Sequence, residues 1–157
     1  MGLDSYLTKR IYIGAEYEHR NVKGKVEITI GEKPVNINFD RITYIEEQVK
    51  YWRKANHIHA WFVKNVQDGK DECQESHVSR QKLKELYDAC KAVMDSKNKE
   101  DAVKVANENL PPQDGFFFGS TEIDKYYYAD IEYTMKELFK LVVNESEECD
   151  YYYRASW

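Results

Sequence analysis

The chain has 157 residues, of which 42% are apolar and 32% are charged, and its net charge is −5. This length and balance predict one soluble globular domain over residues 1–157 and exclude a disordered chain. The mild acidity argues against a general nucleic-acid binder, which would show a basic patch. No apolar run approaches the roughly 20 residues that a membrane helix needs, so no membrane contact is expected.

The N-terminal residues and the cysteines indicate a cytoplasmic protein. Residues 1–6 lack the basic and apolar parts of a signal peptide, and Tyr6 stands where a myristoylation motif requires Ser or Thr. Cys73, Cys90 and Cys149 are widely spaced and form no Cys-x-x-Cys pair. A disulfide framework is therefore not expected.

The first 50 residues show the alternation typical of strands. A first strand is expected from Leu3 to Ile13. Residues 26–39 alternate on both sides of a Gly-Glu-Lys-Pro turn, which predicts a hairpin. Residues 42–45 favour a further short strand, and residues 46–50 are compatible with either strand or helix.

Four helices are predicted after these strands. The first is expected from about Trp52 to Val66, where apolar residues fall on one stripe. The second follows the N-cap residue Ser79. A short third helix covers residues 100–109 and ends before two prolines, and a capping box that begins at Thr121 opens the last helix.

Two further extended segments complete the predicted fold. Residues 115–119 are expected to form a buried strand or a tight extended segment, and residues 151–157 a terminal strand paired with the first one. Strands, then helices, then a returning strand predict an α+β fold. We expect an antiparallel or mixed sheet, built from the N-terminal strands and the C-terminal strand, that three to four helices cover.

The first helix combines residue types that bind flat, charged molecules. At about 100° per residue, Trp52, Asn56 and His59 share a row beside the apolar stripe, with Arg53 at its outer edge. An indole stacks on rings, an amide and an imidazole form hydrogen bonds, and the cations of Arg53 and Lys54 bind phosphate or carboxylate. The alternative is an internal hydrogen-bond network that fixes the helix to the sheet.

The run Gly-Phe-Phe-Phe-Gly at residues 115–119 is the second candidate segment. Consecutive phenylalanines on a strand face opposite ways, so one side must be covered, and Phe117 or Phe118 would stack on a ring. Ser120 and Thr121 follow, and free N–H groups and hydroxyls at a helix N-terminus bind anions. The same residues would serve equally well as a simple cap.

Tyrosines suggest a further contact surface. Asp124, Tyr126, Tyr127 and Asp130 cluster on the first turns of the last helix, where they would hold ribose hydroxyls or a base edge. A wet, Tyr-rich subunit interface is the equal alternative. Since the chain has 13 Tyr, a homodimer or higher oligomer is the expected assembly.

Catalysis and metal binding have little support in the sequence. His57 and His59 stand two apart on a predicted helix and point about 160° away from each other, so they cannot share one ion. There is no Gly-x-Ser-x-Gly motif, no Walker loop and no cysteine in an evident nucleophile context. No metal and no cofactor are therefore expected. An acid–base pair of His59 with Asp124 or Glu122 would depend on the geometry of the fold.

The chain resembles a family of small uncharacterised proteins found in phages, prophages and bacteria. The resemblance spans most of the chain and rests on residues 2–7, the Tyr-Trp-Arg-Lys-Ala-Asn segment at 51–56 with His59, Trp61 and Phe62, residues 115–121, and the Tyr-rich tail that ends at Trp157. Family members usually carry methionine where Ser5 stands, and they share an Asp-Cys-like loop that residues 71–73 match. The resemblance implies a phage or mobile-element setting. Small phage proteins of this sort are often counter-defence factors, and some sequester the nucleotide signals of immune systems.

We therefore expect a counter-defence protein of the host cytoplasm that sequesters a nucleotide-derived immune signal without turnover. The ligand-binding residues in this hypothesis are Trp52, Arg53, Lys54, Asn56, His59, Phe117, Phe118, Ser120, Thr121, Asp124 and Tyr127. One alternative is a protein that blocks a host defence enzyme through the same aromatic surface. A second alternative is a hydrolase of such a signal, with His59 as the base.

Overall fold

The computed structural model describes residues 2–13, 27–38, 41–144 and 148–157. Over these residues the chain forms six strands and four helices, which confirms the α+β prediction. In chain order they are β1 (Asp4–Tyr12), β2 (Thr29–Ile30), β3 (Lys33–Pro34), β4 (Tyr44–Arg53), α1 (Asn56–Asn65), β5 (Ser76–Val78), α2 (Arg80–Ser96), α3 (Ala102–Asn109), α4 (Lys125–Val143) and β6 (Asp150–Ser156).

Four of the strands form an antiparallel sheet in the order β4-β1-β6-β5. The predicted pairing of the first and last strands is confirmed, since β1 runs beside β6 with Asp4 opposite Ser156. On its other side β1 pairs with β4, and the register shifts between Leu7 and Thr8. Strands β2 and β3 form a separate small hairpin, and the predicted hairpin ends Val26 and Phe39 lie outside the described residues.

One face of the sheet carries the core. Because side chains alternate along a strand, Leu7 of β1 and Tyr153 of β6 point to the same side. There they join Ile58 of α1, Leu86 of α2 and Ile131 of α4 in one buried cluster. The helices α1, α2 and α4 thus cover this face, and Tyr6 and Tyr51, which alternate with buried residues, point to the other.

The start of α1 differs from the prediction. Trp52 and Arg53 belong to β4, where they pair with Ser5 and Asp4 of β1, so the predicted helical row of Trp52, Asn56 and His59 is wrong. Lys54 then takes a left-handed backbone conformation, with φ of 57°, and the helix begins at Asn56. The pairing with β1 decides the conformation because it joins residues far apart in sequence, which the local spacing does not reveal.

Two further segments also differ. Residues 115–118 form a turn rather than a strand, with the Phe118 N–H donating to the Gly115 carbonyl (3.1 Å) and Phe117 at φ of 65°. The last helix begins at Lys125 rather than at Thr121, because Asp124 caps it by accepting the N–H groups of Tyr126 and Tyr127 in the first turn. The Ser79 cap of α2 is confirmed.

Candidate functional site

The two candidate segments of the sequence, the Trp-rich residues 51–62 and residues 115–121, meet around Asn56. The buried Asn56 side chain donates from Nδ2 to the carbonyl oxygens of Phe118 (3.2 Å) and Ser120 (2.9 Å). Its Oδ1 accepts the N–H of Gln113 (3.0 Å). These three bonds occupy most of the capacity of an amide side chain. Asn56 therefore holds the Phe-rich turn to the helix.

His59 lies at the centre of a buried hydrogen-bonded chain. Its Nδ1 is 2.8 Å from the Tyr153 hydroxyl and its Nε2 is 2.9 Å from Asp71 Oδ2, while the Trp157 indole N–H donates to Asp71 Oδ1 (3.0 Å). Burial raises the pKa of Tyr153, so the phenol stays neutral beside Nδ1. Both ring nitrogens of His59 are thus engaged by the protein's own side chains. This is the internal network that the sequence left open as the alternative.

Three of the predicted aromatic residues are also buried. Trp52 is 3% exposed, and its indole N–H donates to Thr134 Oγ1 (2.7 Å). Phe118 packs edge-on against His59, with ring centroids 5.4 Å apart. The Tyr127 hydroxyl donates to the carbonyl of Leu110 (2.8 Å). The faces of these rings thus lie against the protein's own side chains.

The remaining predicted residues lie at the surface or serve as caps. Asp124 caps α4, and the Ser120 hydroxyl accepts the N–H of Glu122 (3.1 Å). Arg53, Lys54, Phe117, Ser120 and Thr121 are exposed. The structure thus divides the predicted set into buried residues that stabilise the fold and exposed residues that a ligand can reach.

Lys54 is the point at which three separate segments meet. Its N–H donates to the carbonyl of Leu3 (2.7 Å), and the Leu3 N–H donates to the carbonyl of Phe117 (3.4 Å). Gly119 has φ of 95°, and a Cβ there would come within 3.1 Å of the Lys54 Cβ. This close approach needs glycine. We call the exposed residues Arg53, Lys54, Phe116 and Phe117 the Lys54 surface.

The phenylalanines of the Lys54 surface are unusually open. Phe116 is 82% exposed and Phe117 is 50% exposed, and their ring centroids are 4.1 Å apart. Large apolar side chains that are exposed at a turn gain no stabilisation from burial in the core. A contacting pair of exposed apolar side chains is typical of a binding surface. Phe116 was not predicted as a site residue, and it is exposed because residues 115–118 form a turn rather than the expected strand.

The sequence reasoning also missed the open face of the sheet. Tyrosines occupy it on three strands: Tyr6, Tyr12, Tyr44, Tyr51 and Tyr152. Arg10 lies between the rings of Tyr44 and Tyr152, at 5.1 and 4.1 Å from their centroids, and also binds the carboxylates of Glu46 and Glu75. The alternation of Tyr with buried residues in 4–12 and 151–156 is the signal that points to this face.

Two buried titratable groups have shifted pKa values. Burial lowers the pKa of His57 to about 3, and its Nε2 has no hydrogen-bond partner within the described chain. Burial also lowers the pKa of Lys50 to about 8, and its ammonium lies over the ring of Tyr133. Desolvation disfavours the charged form of both groups.

Two surface cavities lie along α2 and α4. One of about 410 Å³ is lined by Tyr87, Met135, Lys136, Glu137, Phe139 and Lys140. Another of about 310 Å³ is lined by Arg80, Gln81, Lys84 and Val142. Neither contains a residue of the predicted site.

The described segments hold no cluster of three or more His, Cys, Asp or Glu side chains that could bind a metal ion. Cys73, Cys90 and Cys149 are free thiols. Within the same segments, no helix has the length and apolar content that crossing a membrane requires.

Compared with family models, curated proteins and solved structures, the chain has no match.

Proposed function

We propose that the protein binds a small nucleotide-derived anion at the Lys54 surface and holds it without turnover. In the phage setting that the resemblance implies, such binding would sequester an immune signal of the host. The observation that carries the proposal is an open pair of aromatic rings beside two cations, Arg53 and Lys54, that form no ion pair with the described residues.

The cations are available for phosphate. Among the described residues, neither Arg53 nor Lys54 has a carboxylate within 4.0 Å, whereas Lys82, Lys84 and Lys91 are each paired with an acid on their own helix. A guanidinium binds phosphate through two parallel hydrogen bonds, and an ammonium adds a point charge. Both cations therefore supply the contacts that an anionic ligand needs.

The exposed rings suit a base. Phe116 and Phe117 present open faces beside Lys54, and stacking of a base on an aromatic ring is worth about 1–3 kcal/mol. The exposed residues Ser120 and Thr121 follow shortly after this turn. A ring and a phosphate could thus be held by one short stretch of surface.

Retention without turnover is supported by the position of His59, the residue predicted as a base. It is fully buried, and both ring nitrogens are engaged with Tyr153 and Asp71. A general base must come within hydrogen-bond reach of the proton that it abstracts. His59 has no such access to a ligand at the surface, so the geometry favours binding over hydrolysis.

Isothermal titration with a panel of mononucleotides, dinucleotides and ADP-ribose-type compounds tests the proposal. At least one compound should bind, and Lys54→Ala should weaken it about tenfold, which corresponds to about 1.4 kcal/mol. Lys64→Ala, an exposed lysine of α1, is the matched control and should leave the affinity unchanged. The bound compound should be recovered intact after denaturation. No heat with any compound, or equal losses in both variants, would contradict the proposal.

The exposure of Phe116 favours a second candidate function, the blocking of a host defence enzyme. Aromatic side chains that are open in the free protein often become the centre of a protein interface. In that case the purified chain would bind none of the compounds but would inhibit the enzyme, and Phe116→Ala would relieve the inhibition. An activity assay with and without the chain distinguishes the two functions.

A further inference from the structure

A row of three side chains crosses the open face of the sheet next to the Lys54 surface. Tyr6 of β1 stands opposite Tyr51 of β4 on one side and opposite Arg154 of β6 on the other. The two tyrosine rings are 5.4 Å apart at an angle of 33°, and the guanidinium of Arg154 lies 5.8 Å from the centre of the Tyr6 ring. These residues form a second platform of rings with a cation at its edge.

The platform is held in place by a hydrogen bond on the same face of the sheet. The Tyr51 hydroxyl donates to the Asp4 carboxylate, and this hydrogen bond raises the pKa of Tyr51. Tyr51 therefore stays neutral and oriented while 38% of its surface remains exposed. A ring that is already fixed loses little conformational entropy when another ring stacks on it.

The charges favour an anion at this end of the sheet. Within the described part of the chain, Arg53 and Arg154 have no carboxylate within 4.0 Å. At the other end of the same face, Arg10 is already neutralised by Glu46 and Glu75. A long polyanion along the whole face would meet these carboxylates as well as that of Asp4, whereas a short one at this end would meet the Asp4 carboxylate alone beside Arg53 and Arg154.

The two platforms are linked through the adjoining ends of β1 and β4. Leu3, whose N–H donates to the Phe117 carbonyl, is followed by Asp4, which holds Tyr51. On the neighbouring strand, Tyr51 is followed in the chain by Trp52 and then by Arg53 and Lys54. Along these contacts, Arg53 and Lys54 therefore come between the row of Tyr6 and Tyr51 and the Phe-rich turn, and this order matches a molecule with two rings joined through phosphate.

We infer that Tyr6, Tyr51 and Arg154 are further binding residues and that the ligand is a phosphate-linked dinucleotide. This inference rests on the proposed function and narrows it. One base stacks at Phe116 and Phe117, the phosphates contact Lys54 and Arg53, and the second base lies on the row of Tyr6 and Tyr51 with Arg154 at its edge.

Titrations of the whole chain with a cyclic dinucleotide, the matching mononucleotide and a ten-residue single-stranded RNA test this inference. The dinucleotide should bind at least tenfold more tightly than the mononucleotide. Tyr51→Ala and Arg154→Ala should each weaken binding of the dinucleotide about tenfold and leave binding of the mononucleotide unchanged. Tyr51→Phe keeps the ring but loses the bond to Asp4, so it should weaken binding of the dinucleotide by less than Tyr51→Ala does. Tyr44→Ala, an exposed tyrosine at the far end of the face, is the control, and thermal unfolding confirms that each variant is folded.

The possible failures can be told apart. Equal affinities for the two nucleotides, both lowered by Lys54→Ala and neither by Tyr51→Ala, would overturn the two-ring inference and leave the proposed function standing. RNA that binds more tightly than the dinucleotide, with a loss in Tyr44→Ala, would overturn it in favour of a nucleic-acid strand. No binding of any probe would remove both the inference and the proposed function.

Discussion

At the scale of single residues, His57 makes the protein sensitive to acid. The side chain is 4% exposed and packs against the Tyr127 ring, with ring centroids 4.4 Å apart. Because its pKa is lowered to about 3 by burial, the folded protein keeps it neutral while the unfolded chain protonates it near pH 6.5. The stability that the neutral form provides is present above pH 6.5 and is lost as the pH falls toward 3.

We expect His57→Leu to remove this dependence. One such group changes the free energy of unfolding by up to about 1.4 kcal/mol per pH unit, so between pH 7.5 and pH 5 the wild type should lose about 2 kcal/mol relative to the variant. Urea denaturation at both pH values measures this. Burial also raises the pKa of Asp130 to about 6, which stabilises the folded protein as the pH falls, opposite to the effect of His57. Because Asp130 is present in both proteins, its contribution cancels in the comparison. His77→Leu, at an exposed histidine, is the control. Parallel losses in the wild type and His57→Leu would refute the assignment.

At the scale of elements, the junction between β4 and α1 shows where prediction from sequence stops. Ala55, Ile58 and Phe62 follow helical spacing and lie in the core as the stripe requires. The same spacing extends back to Tyr51, although that residue belongs to a strand. Local periodicity therefore predicts that a helix exists, while its first residue depends on pairing with β1, more than 40 residues away.

Asn56, at this junction, should be essential for the position of the Phe-rich turn. Asn56→Ala removes three hydrogen bonds and leaves the Gln113 N–H without its acceptor, so we expect a loss of about 2 kcal/mol in the free energy of unfolding. Hydrogen exchange should accelerate at residues 113–120. Asn107→Ala is the control, because that side chain only contacts a carbonyl of its own helix. Unchanged exchange at 113–120 would show that other contacts hold the turn.

The same limit applies to the candidate site. The sequence shows that His59, Trp52 and Asn56 carry groups that can bind a ligand. It does not show that these groups already form hydrogen bonds within the protein, with Tyr153, Thr134 and Gln113 respectively. Those partners come from segments that only the fold brings near. Exposed cations and turn residues are easier to recognise, because Arg53, Lys54 and Phe117 need no distant partner to remain at the surface.

At the scale of the whole molecule, the sheet depends on both ends of the chain. β1 and β6 are the two central strands, and β6 supplies Tyr151, Tyr153 and Ala155 to the core. The pairing of first and last strands was predicted from the sequence, since both carry alternating apolar and polar residues. The central place of β6 was not, because the three-residue partner β5 is too short to give a pattern.

Removal of residues 150–157 should therefore prevent folding. The truncation removes a central strand from the sheet and the side chains of Tyr151, Tyr153 and Ala155 from the core. It also removes the hydrogen-bond partner of His59 Nδ1, the Tyr153 hydroxyl. We expect the truncated chain to show no cooperative unfolding transition by circular dichroism. Arg154→Ala, which changes only an exposed residue of the same strand, should unfold cooperatively. A cooperative transition in the truncated chain would show that the helices and β1 fold without β6.

Lys54 and Phe117 both hold the left-handed backbone that glycine adopts without strain, and for a residue with a Cβ that conformation costs roughly 1–2 kcal/mol. The two stand next to each other, joined through Leu3. Glycine at either place would make the chain easier to fold but would delete a charge or a ring from the outside of the molecule. Selection for thermal stability alone would thus tend to replace Lys54 and Phe117 with glycine. Selection for ligand binding would tend to retain both residues in their strained conformation.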